Sequence, residues 1–416
     1  MAVTLSSSTS ALKEILLPYI RDNFPKEVIL LDQFKQNADV RVINDEFIAP
    51  IRSSRHGGVA ALAVDSNNIV SDSSGASMTR GTVGVKIITG AFDISKLAID
   101  ASATAEGAVT PALRFQTDTL LGDFKRSVNR MYYGDGRGVV AQVLGSVSGT
   151  QASLMYPDAN LDDTSSIDWY GTVNGDIAFD KYLSAGNLVG IGSAGTAHGT
   201  ISSLSGTSML LTGATGIAAN NVVVIEDGSN GNGGTSEIQG IRLALSSSTG
   251  TSTYAGVARN TTGWTPQFGS VSEALTQSRM ERTYLNAREY AQSGDKYIIL
   301  VNKTLYAKYG DILTSLRRTV NETELIGGFS GLTFAAGAGK VGVFLDYDVP
   351  DGEVLFINLS TWALCQVKDM DWFSDPSGNG LLRIQNSIKY QATLVWFLNT
   401  ICLAPGANGR STQKVG

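Results

Sequence analysis

Between Thr110 and Gly138 the chain reads TPALRFQTDTLLGDFKRSVNRMYYGDGRG, a stretch that predicts one long amphipathic helix closed at both ends. Thr110 suits the N-cap, and Pro111 suits the first helical position, where its missing N–H forfeits no hydrogen bond. Leu120, Leu121, Phe124, Val128, Met131 and Tyr132 recur at helical spacing, with Asp118, Asp123, Lys125, Arg126 and Arg130 on the other flanks. Gly134 is placed to end the helix as a left-handed residue, and Gly136 and Gly138 extend the break. About 23 residues at a rise of 1.5 Å make a rod of roughly 35 Å. Such a rod needs a broad sheet or a second subunit to cover its apolar stripe, and that need constrains the rest of the fold.

A chain of 416 residues has room for two or three domains and a sizeable core. Its charged content of 17% is low against a usual share of about a quarter, so much of its surface is expected to be covered, most simply by copies of itself. The net charge of −6 is localised. Residues 141–260 carry nine acidic side chains (Asp158, Asp162, Asp163, Asp168, Asp176, Asp180, Glu226, Asp227, Glu237) against three basic ones (Lys181, Arg242, Arg259), and the remainder is balanced. No basic stripe tracks a phosphate backbone, which argues against sequence-specific nucleic-acid binding. Cys365 and Cys402 lie in apolar runs and read as small buried hydrophobes rather than a disulfide. The N-terminus lacks the basic and apolar regions of a secretion signal. The apolar run 392–404 is interrupted by Asn399 and too short to span a bilayer, so a soluble, cytoplasmically made protein with no membrane partner is expected.

Helices mixed with largely antiparallel strands predict an α+β class. Leu12, Ile15, Leu16, Tyr19 and Ile20 form an apolar stripe on a short helix that Pro18 kinks or ends, suited to docking on a neighbour or on its own domain. Residues 51–85 read as a two-stranded arm with a polar tip (Ser71–Ser77), returning along Gly84–Ile88. Residues 141–268 are rich in Gly, Ser and Thr, with short apolar runs at 188–191, 209–211, 221–226, 241–245 and 254–258. That pattern predicts a small antiparallel barrel or sandwich inserted into the main domain. A capping box at Ser270–Glu273 predicts a helix to about Gln292. A buried strand follows over 296–301, then a helix over 304–318 with Leu305, Tyr306, Tyr309, Ile312 and Leu316 inward. Strands are expected at 340–347, 353–359 and 362–367, then one very long strand over 382–403 and a flexible Gly-rich tail.

Catalytic motifs are weak. Gly190-Ile-Gly-Ser-Ala-Gly195 matches a dinucleotide fingerprint, but no helix pattern follows and the next acidic residue is Glu226. His198-Gly-Thr and Gly206-Thr-Ser-Met echo a serine protease, yet they stand about ten residues apart, too close for a triad scaffold. His56 and His198 are the whole histidine supply, and no cysteine pair has metal spacing. Asp158 with Asp162 and Asp163 could meet calcium, although an exposed acidic turn is the simpler reading. The expectation is therefore no enzyme and no cofactor.

The order of parts, with ALKEILLPYIRDN at Ala11–Asn23 and DFKRSVNRMYYGDGRG at Asp123–Gly138, resembles the major capsid proteins of tailed bacteriophages that share the HK97 fold. The resemblance covers the chain outside 141–268. It implies an N-terminal arm (1–50), an extended loop (51–90) lying over the adjacent subunit, a peripheral domain (91–140 and 382–416) with spine helix 110–133, and an axial domain (269–381). It further implies pentamers and hexamers of an icosahedral shell around double-stranded DNA, formed in the host cytoplasm. Partners would be copies of itself, a portal protein and a decoration protein, plus a separate scaffolding protein contacting Leu12, Ile15, Leu16, Tyr19 and Ile20. The inserted β-domain would stand out from the shell. Because 51–85 holds no lysine, the Lys–Asn cross-link of some members is not expected. The alternative is a tail or surface protein whose β-rich block recognises a host carbohydrate or receptor.

Overall fold

The computed structural model describes residues 30, 33–34, 41–54, 56, 75–97, 109–148, 151–155, 183, 185, 188–191, 197–205, 208–213, 217, 222–225, 237–246, 253–261, 263–269, 275–315, 322–325, 329–336, 339–349, 352–374 and 380–412. Its first elements are β1 (Arg41–Ile43), β2 (Glu46–Arg52) and β3 (Met78–Gly84), a three-stranded antiparallel sheet in that order. Only Val85 separates β3 from β4 (Lys86–Ser95), so the arm's return strand is Met78–Gly84 and the chain from Lys86 onward already belongs to another sheet.

The helix α1 spans Val109–Tyr133, so Thr110 lies inside the first turn instead of capping it. Gly134 closes the helix through its N–H on Met131 O at 3.0 Å, but it is not left-handed. The left-handed residues are Gly136 (φ +88°) and Gly138 (φ +74°), because the reversal comes after an extra turn. A barrel follows: β5 (Val139–Ser148), β6 (Gln151–Met155), β7 (Leu188–Ile191), β8 (Ala197–Ser205), β9 (Ser208–Thr212) and β10 (Val222–Ile225), closed in the order β10-β5-β6-β9-β8-β7. Val140, Val143, Leu154, Val189, Ile201, Met209, Leu211 and Val223 fill it, a core separate from the rest.

The barrel is narrower than the expected block 141–268. The run 241–245 is not a strand: Ile241–Ala244 is a helical turn, α2, and Ile238, Ile241, Ala244 and Leu245 bury in the main core. A tight hairpin, β11 (Thr253–Tyr254) and β12 (Val257–Ala258), adds Tyr254 and Val257 to that core. Buried Arg259 donates to the carbonyls of Leu243 and Ala244 at the C-terminal end of α2, and its guanidinium lies 5.5 Å from the Tyr254 ring centre. Gly240 meets α1 so closely that an added Cβ would stand 2.3 Å from Tyr132 O and 2.6 Å from Met131 O.

After β13 (Gln267–Phe268) come α3 (Gln277–Glu289), β14 (Tyr297–Val301), α4 (Lys303–Ser315), β15 (Glu322–Leu325), β16 (Phe329–Ala336), β17 (Gly339–Leu345) and β18 (Glu353–Asn358). Helix α3 thus begins later than expected, at Gln277 with Thr276 before it, and the capping box at 270–273 and Leu316 lie outside the described residues. The last elements are β19 (Trp362–Trp372), β20 (Leu381–Arg383), β21 (Lys389–Cys402) and β22 (Gly409–Thr412). The expected single strand over 382–403 is split by a turn in which Asn386 adopts φ +59°.

Two large sheets result. In one, β21 is central, with β4 along one edge and β19 and β20 sharing the other. The second has the order β13-β22-β18-β14-β17-β16-β15. Period-2 alternation divides the second sheet's side chains. Ile298, Leu300, Phe344, Leu355 and Ile357 join the core shared with α1, whereas Ile299, Val301, Val343, Val354 and Phe356 pack with Tyr284 of α3 and with Leu305 and Tyr309 of α4. On α4, Tyr306 and Ile312 are partly buried against that second core.

The tail is not flexible over its described part. Residues 405–411 are buried, and β22 pairs with β18. Asn408 explains the docking: its Oδ1 accepts from Asn358 N (2.8 Å) and Trp362 Nε1 (3.1 Å), and its Nδ2 donates to Thr361 Oγ1 and Ala404 O (both 2.9 Å). Arg410 then pairs with Glu353 at 2.9 Å, both buried. Asn408→Ala would strand several of these groups and is expected to cost about 3 kcal/mol or more in urea denaturation. Gly240→Ala, which drives a methyl into backbone carbonyls, should cost about 2–3 kcal/mol by the same measurement.

Candidate assembly surfaces

The arm is built on alternation. On β2, Phe47, Ala49 and Ile51 point inward and are buried, joined by Val83 from β3. The arm is held at its base by Val85 N on Asp45 O and Thr82 N on Ala255 O, each at 2.9 Å. Pairing of β2 with β3 runs in unbroken register from Glu46↔Gly84 to Arg52↔Met78, and Ser53 N continues it on Ser77 O. The outward face carries the opposite set. Arg41, Ile43, Ile48, Pro50, Met78 and Arg80 line an open groove that mixes apolar side chains with two arginines. Met78 is 80% exposed. Residues 57–74, which include most of the expected tip, lie outside the described residues.

A second exposed surface is the face of the β21 sheet turned away from α1. Ile87, Thr89, Ala91 and Asp93 of β4 are exposed there, beside half-buried Val395 and Phe397 of β21. The opposite face carries Ile88, Phe92, Leu394, Trp396 and Leu398 into the core. Of the predicted helix stripe, Leu121, Phe124, Val128 and Tyr132 are buried in this core, and Leu120 and Met131 pack half-buried against it. Gly90 makes the approach possible, since a Cβ there would stand 3.1 Å from both Leu120 Cδ1 and Phe124 Cδ2. Leu12, Ile15, Leu16, Tyr19 and Ile20 lie outside the described residues, as do Asp158, Asp162 and Asp163.

Where α1 ends it meets the second sheet through a polar cluster. Asn129 Nδ2 lies 3.2 and 3.3 Å from the two Asp346 carboxylate oxygens and 2.6 Å from Asp348 Oδ2. Tyr133 Oη donates to Asp346 Oδ2 at 2.7 Å, and Asp348 N donates to Asp346 Oδ1 at 2.9 Å. Burial, then the neighbouring Asp348 charge, raises the Asp346 pKa above the usual carboxylate range, against the opposing pull of those hydrogen bonds. Alongside, Arg130 pairs with Glu237 in a buried ion pair. Sequence reasoning missed both this cluster and the groove. The closely spaced carboxylates of Asp346-Tyr-Asp348 and the alternation Phe47, Ala49, Ile51 were the available signals.

Gly190 and Ile191 of the dinucleotide-like motif are the end of β7, paired antiparallel with His198 and Ala197 of β8 in the barrel wall, and its residues 192–195 lie outside the described residues. No group of three or more potential metal-ligating His, Cys, Asp or Glu side chains occurs among the described residues. No helix among them is long and apolar enough to cross a membrane. Both cysteines are free and buried, and burial pushes each thiol up to about 12. Thiol reagents at pH 8 should therefore leave the native protein unlabelled and modify both positions in denaturant. Rapid native labelling of either would contradict this placement.

No protein-family model matches this sequence, and no curated protein matches it. Solved structures do. A chain of the cyanophage A-1(L) capsid asymmetric unit aligns with a TM-score of 0.52 at 12% identity, over 93% of this chain and 92% of that one. The capsid of a native GTA particle aligns at 0.44 and 8% identity (92% and 90% coverage), and a structure of Gordonia phage Cozz at 0.44 and 10% identity (93% and 86%). At such identities the likeness to the cyanophage chain speaks to the fold alone, over nearly the full length of both chains.

Proposed function

We propose that this chain, which has the HK97-like capsid fold, is the major capsid protein of a tailed double-stranded-DNA bacteriophage. Copies of it assemble into pentamers and hexamers of an icosahedral shell that encloses the genome. The observation that carries the reading is the arm: a three-stranded limb anchored through buried Phe47, Ala49 and Ile51, whose outer face presents Ile43, Ile48, Pro50 and Met78 to solvent. In a self-contained protein such a groove is a liability, whereas in a shell it is covered by the adjacent subunit.

On this reading, 1–50 is the N-terminal arm, with Arg41–Arg52 also forming the root of the extended loop. Helix α1 is the spine of a peripheral domain together with the β21 sheet. The seven-stranded sheet with α3 and α4 forms the axial domain, and the barrel stands out from the shell. Many moderate contacts per copy give the closed particle its avidity. A separate scaffolding protein, engaging Leu12, Ile15, Leu16, Tyr19 and Ile20, a portal protein and a decoration protein complete the partners. The role is structural rather than enzymatic, and the protein resides in the virion after assembly in the host cytoplasm.

Negative-stain microscopy of the expressed protein tests this directly. Closed particles or ring-shaped capsomers are expected, and trimeric rods would favour a tail or receptor-binding role instead. The double change Ile48→Glu, Met78→Glu alters only outward side chains. It should leave circular dichroism and the thermal midpoint unchanged while abolishing particles. Normal particles from this variant would remove the groove from the assembly surface.

A further inference from the structure

We propose that the open edge of β4 is a strand-pairing site for a second copy of this chain, in which β3 of one copy adds to the β21 sheet of the next through main-chain hydrogen bonds, with Arg80 of the first beside Asp93 of the second. The inference rests on the capsid reading and deepens it by naming the bonds through which an arm engages its neighbour. Among the described residues β4 pairs with β21 alone, over all ten of its positions from Lys86 to Ser95 and without a register shift. Lys96 N continues that register by donating to Ile388 O at 2.9 Å. Antiparallel bonds alternate along a strand, so residues 88, 90, 92 and 94 commit their main-chain groups to β21. Ile87, Thr89, Ala91 and Asp93 therefore aim their N–H and C=O groups away from it, along the free edge, and each is exposed. A long edge without a bulge is a template for another strand, and proteins ordinarily blunt one with proline, a bulge or repeated charge. Here Ile87 is 58% exposed, and of these residues Asp93 alone is charged.

The arm carries the matching edge. Val85 N on Asp45 O and Ser53 N on Ser77 O, each at 2.9 Å, show that the odd-numbered residues of β3 bond to β2. The even-numbered residues face the other way, as Thr82 N does in donating to Ala255 O at 2.9 Å. Beyond Thr82, the main chain of Met78 and Arg80 has no partner on that side among the described residues. Within one chain the two edges cannot pair. Val85 alone joins β3 to β4, whereas an antiparallel hairpin takes about two loop residues and a parallel crossover about a dozen. Between two copies they can. Exposed Arg80 and exposed Asp93 supply opposite charges, which favour one another across neighbouring strands and fix the register. Main-chain bonds of this kind give strand addition its affinity. One edge engages a different edge on the next copy, so the contact runs head to tail, the kind that closes into rings.

The test follows amide hydrogen exchange of the full-length protein, free and associated. Exchange at Ile87, Thr89, Ala91 and Asp93 should slow by about tenfold or more on association, while the amides of Ile88, Phe92 and Ile94, already bonded to β21, should change little. The variant Ala91→Pro removes one outward N–H and spares the bonds to β21, and Gly90 before it has no Cβ for the proline ring to strike. Its thermal midpoint should stay near the parent's, and its yield of particles or capsomers should fall by about tenfold. Should Ala91→Pro fail to fold, charge exchange decides: Arg80→Asp and Asp93→Arg should each lower the yield, and the double variant should restore it. Particles in which the outward amides exchange as fast as in the free chain, a normal yield from folded Ala91→Pro, or a double variant no better than either single change would overturn the pairing and leave the capsid reading standing. A parent that stays monomeric at every concentration overturns both.

Discussion

The structure depends on how one 25-residue helix is covered. Leu121, Phe124, Val128 and Tyr132 bury a continuous stripe, each side chain worth roughly 1.5–3 kcal/mol against exposure. No single element could cover a rod of this length. Its stripe packs on β4 and β21 through the space left by Gly90, while Phe34 stacks on Trp362 (ring centres 5.1 Å apart) and meets Tyr132 edge to face (5.7 Å). The alternation of β14, β17 and β18 then places a second sheet against the same core. The result is a body whose two sheets are joined by one apolar interior rather than by a linker.

Polar groups set the angles that apolar packing leaves free. Asn399, buried in β21, accepts from Gln239 N at 2.9 Å and donates to Gly84 O at 2.6 Å, which ties the root of the arm to the segment that follows the barrel. Arg130 with Glu237 and the Asn129–Asp346 cluster pin the far end of the helix. Buried groups of this kind contribute modestly when satisfied and cost much when stranded, so they discriminate against other packings more than they add stability. The short step through Val85 from β3 to β4 carries that definition outward, since it aims the arm's own sheet from the β21 sheet to which β4 belongs.

Legibility in the sequence followed the range of the interaction. The helix stripe at 120–132 and the strands at 297–301, 339–345 and 353–358 were readable because a repeat of 3.6 or 2 is a local property. The barrel was readable as a class from its run of short strands. Its C-terminal limit was not, because Ile238, Ile241, Tyr254 and Trp264 look like any short apolar run until the main core claims them. The Gly-rich tail misled for the same reason. Residues 405–411 are small and polar enough to read as solvated, and only Asn408's partners at positions 358, 361 and 362 make them interior.

By itself the sequence determined the α+β class, the amphipathic face of the long helix, the existence of an arm and the absence of a legible catalytic motif, since each follows from local periodicity and composition. Tertiary structure decided which strands share a sheet, where the barrel stops, how the tail docks, and which faces remain open on the arm and on the β21 sheet. Those outcomes rest on contacts between residues tens to hundreds of positions apart, such as Tyr133 with Asp346 and Asn399 with Gly84, and no window of sequence contains both partners.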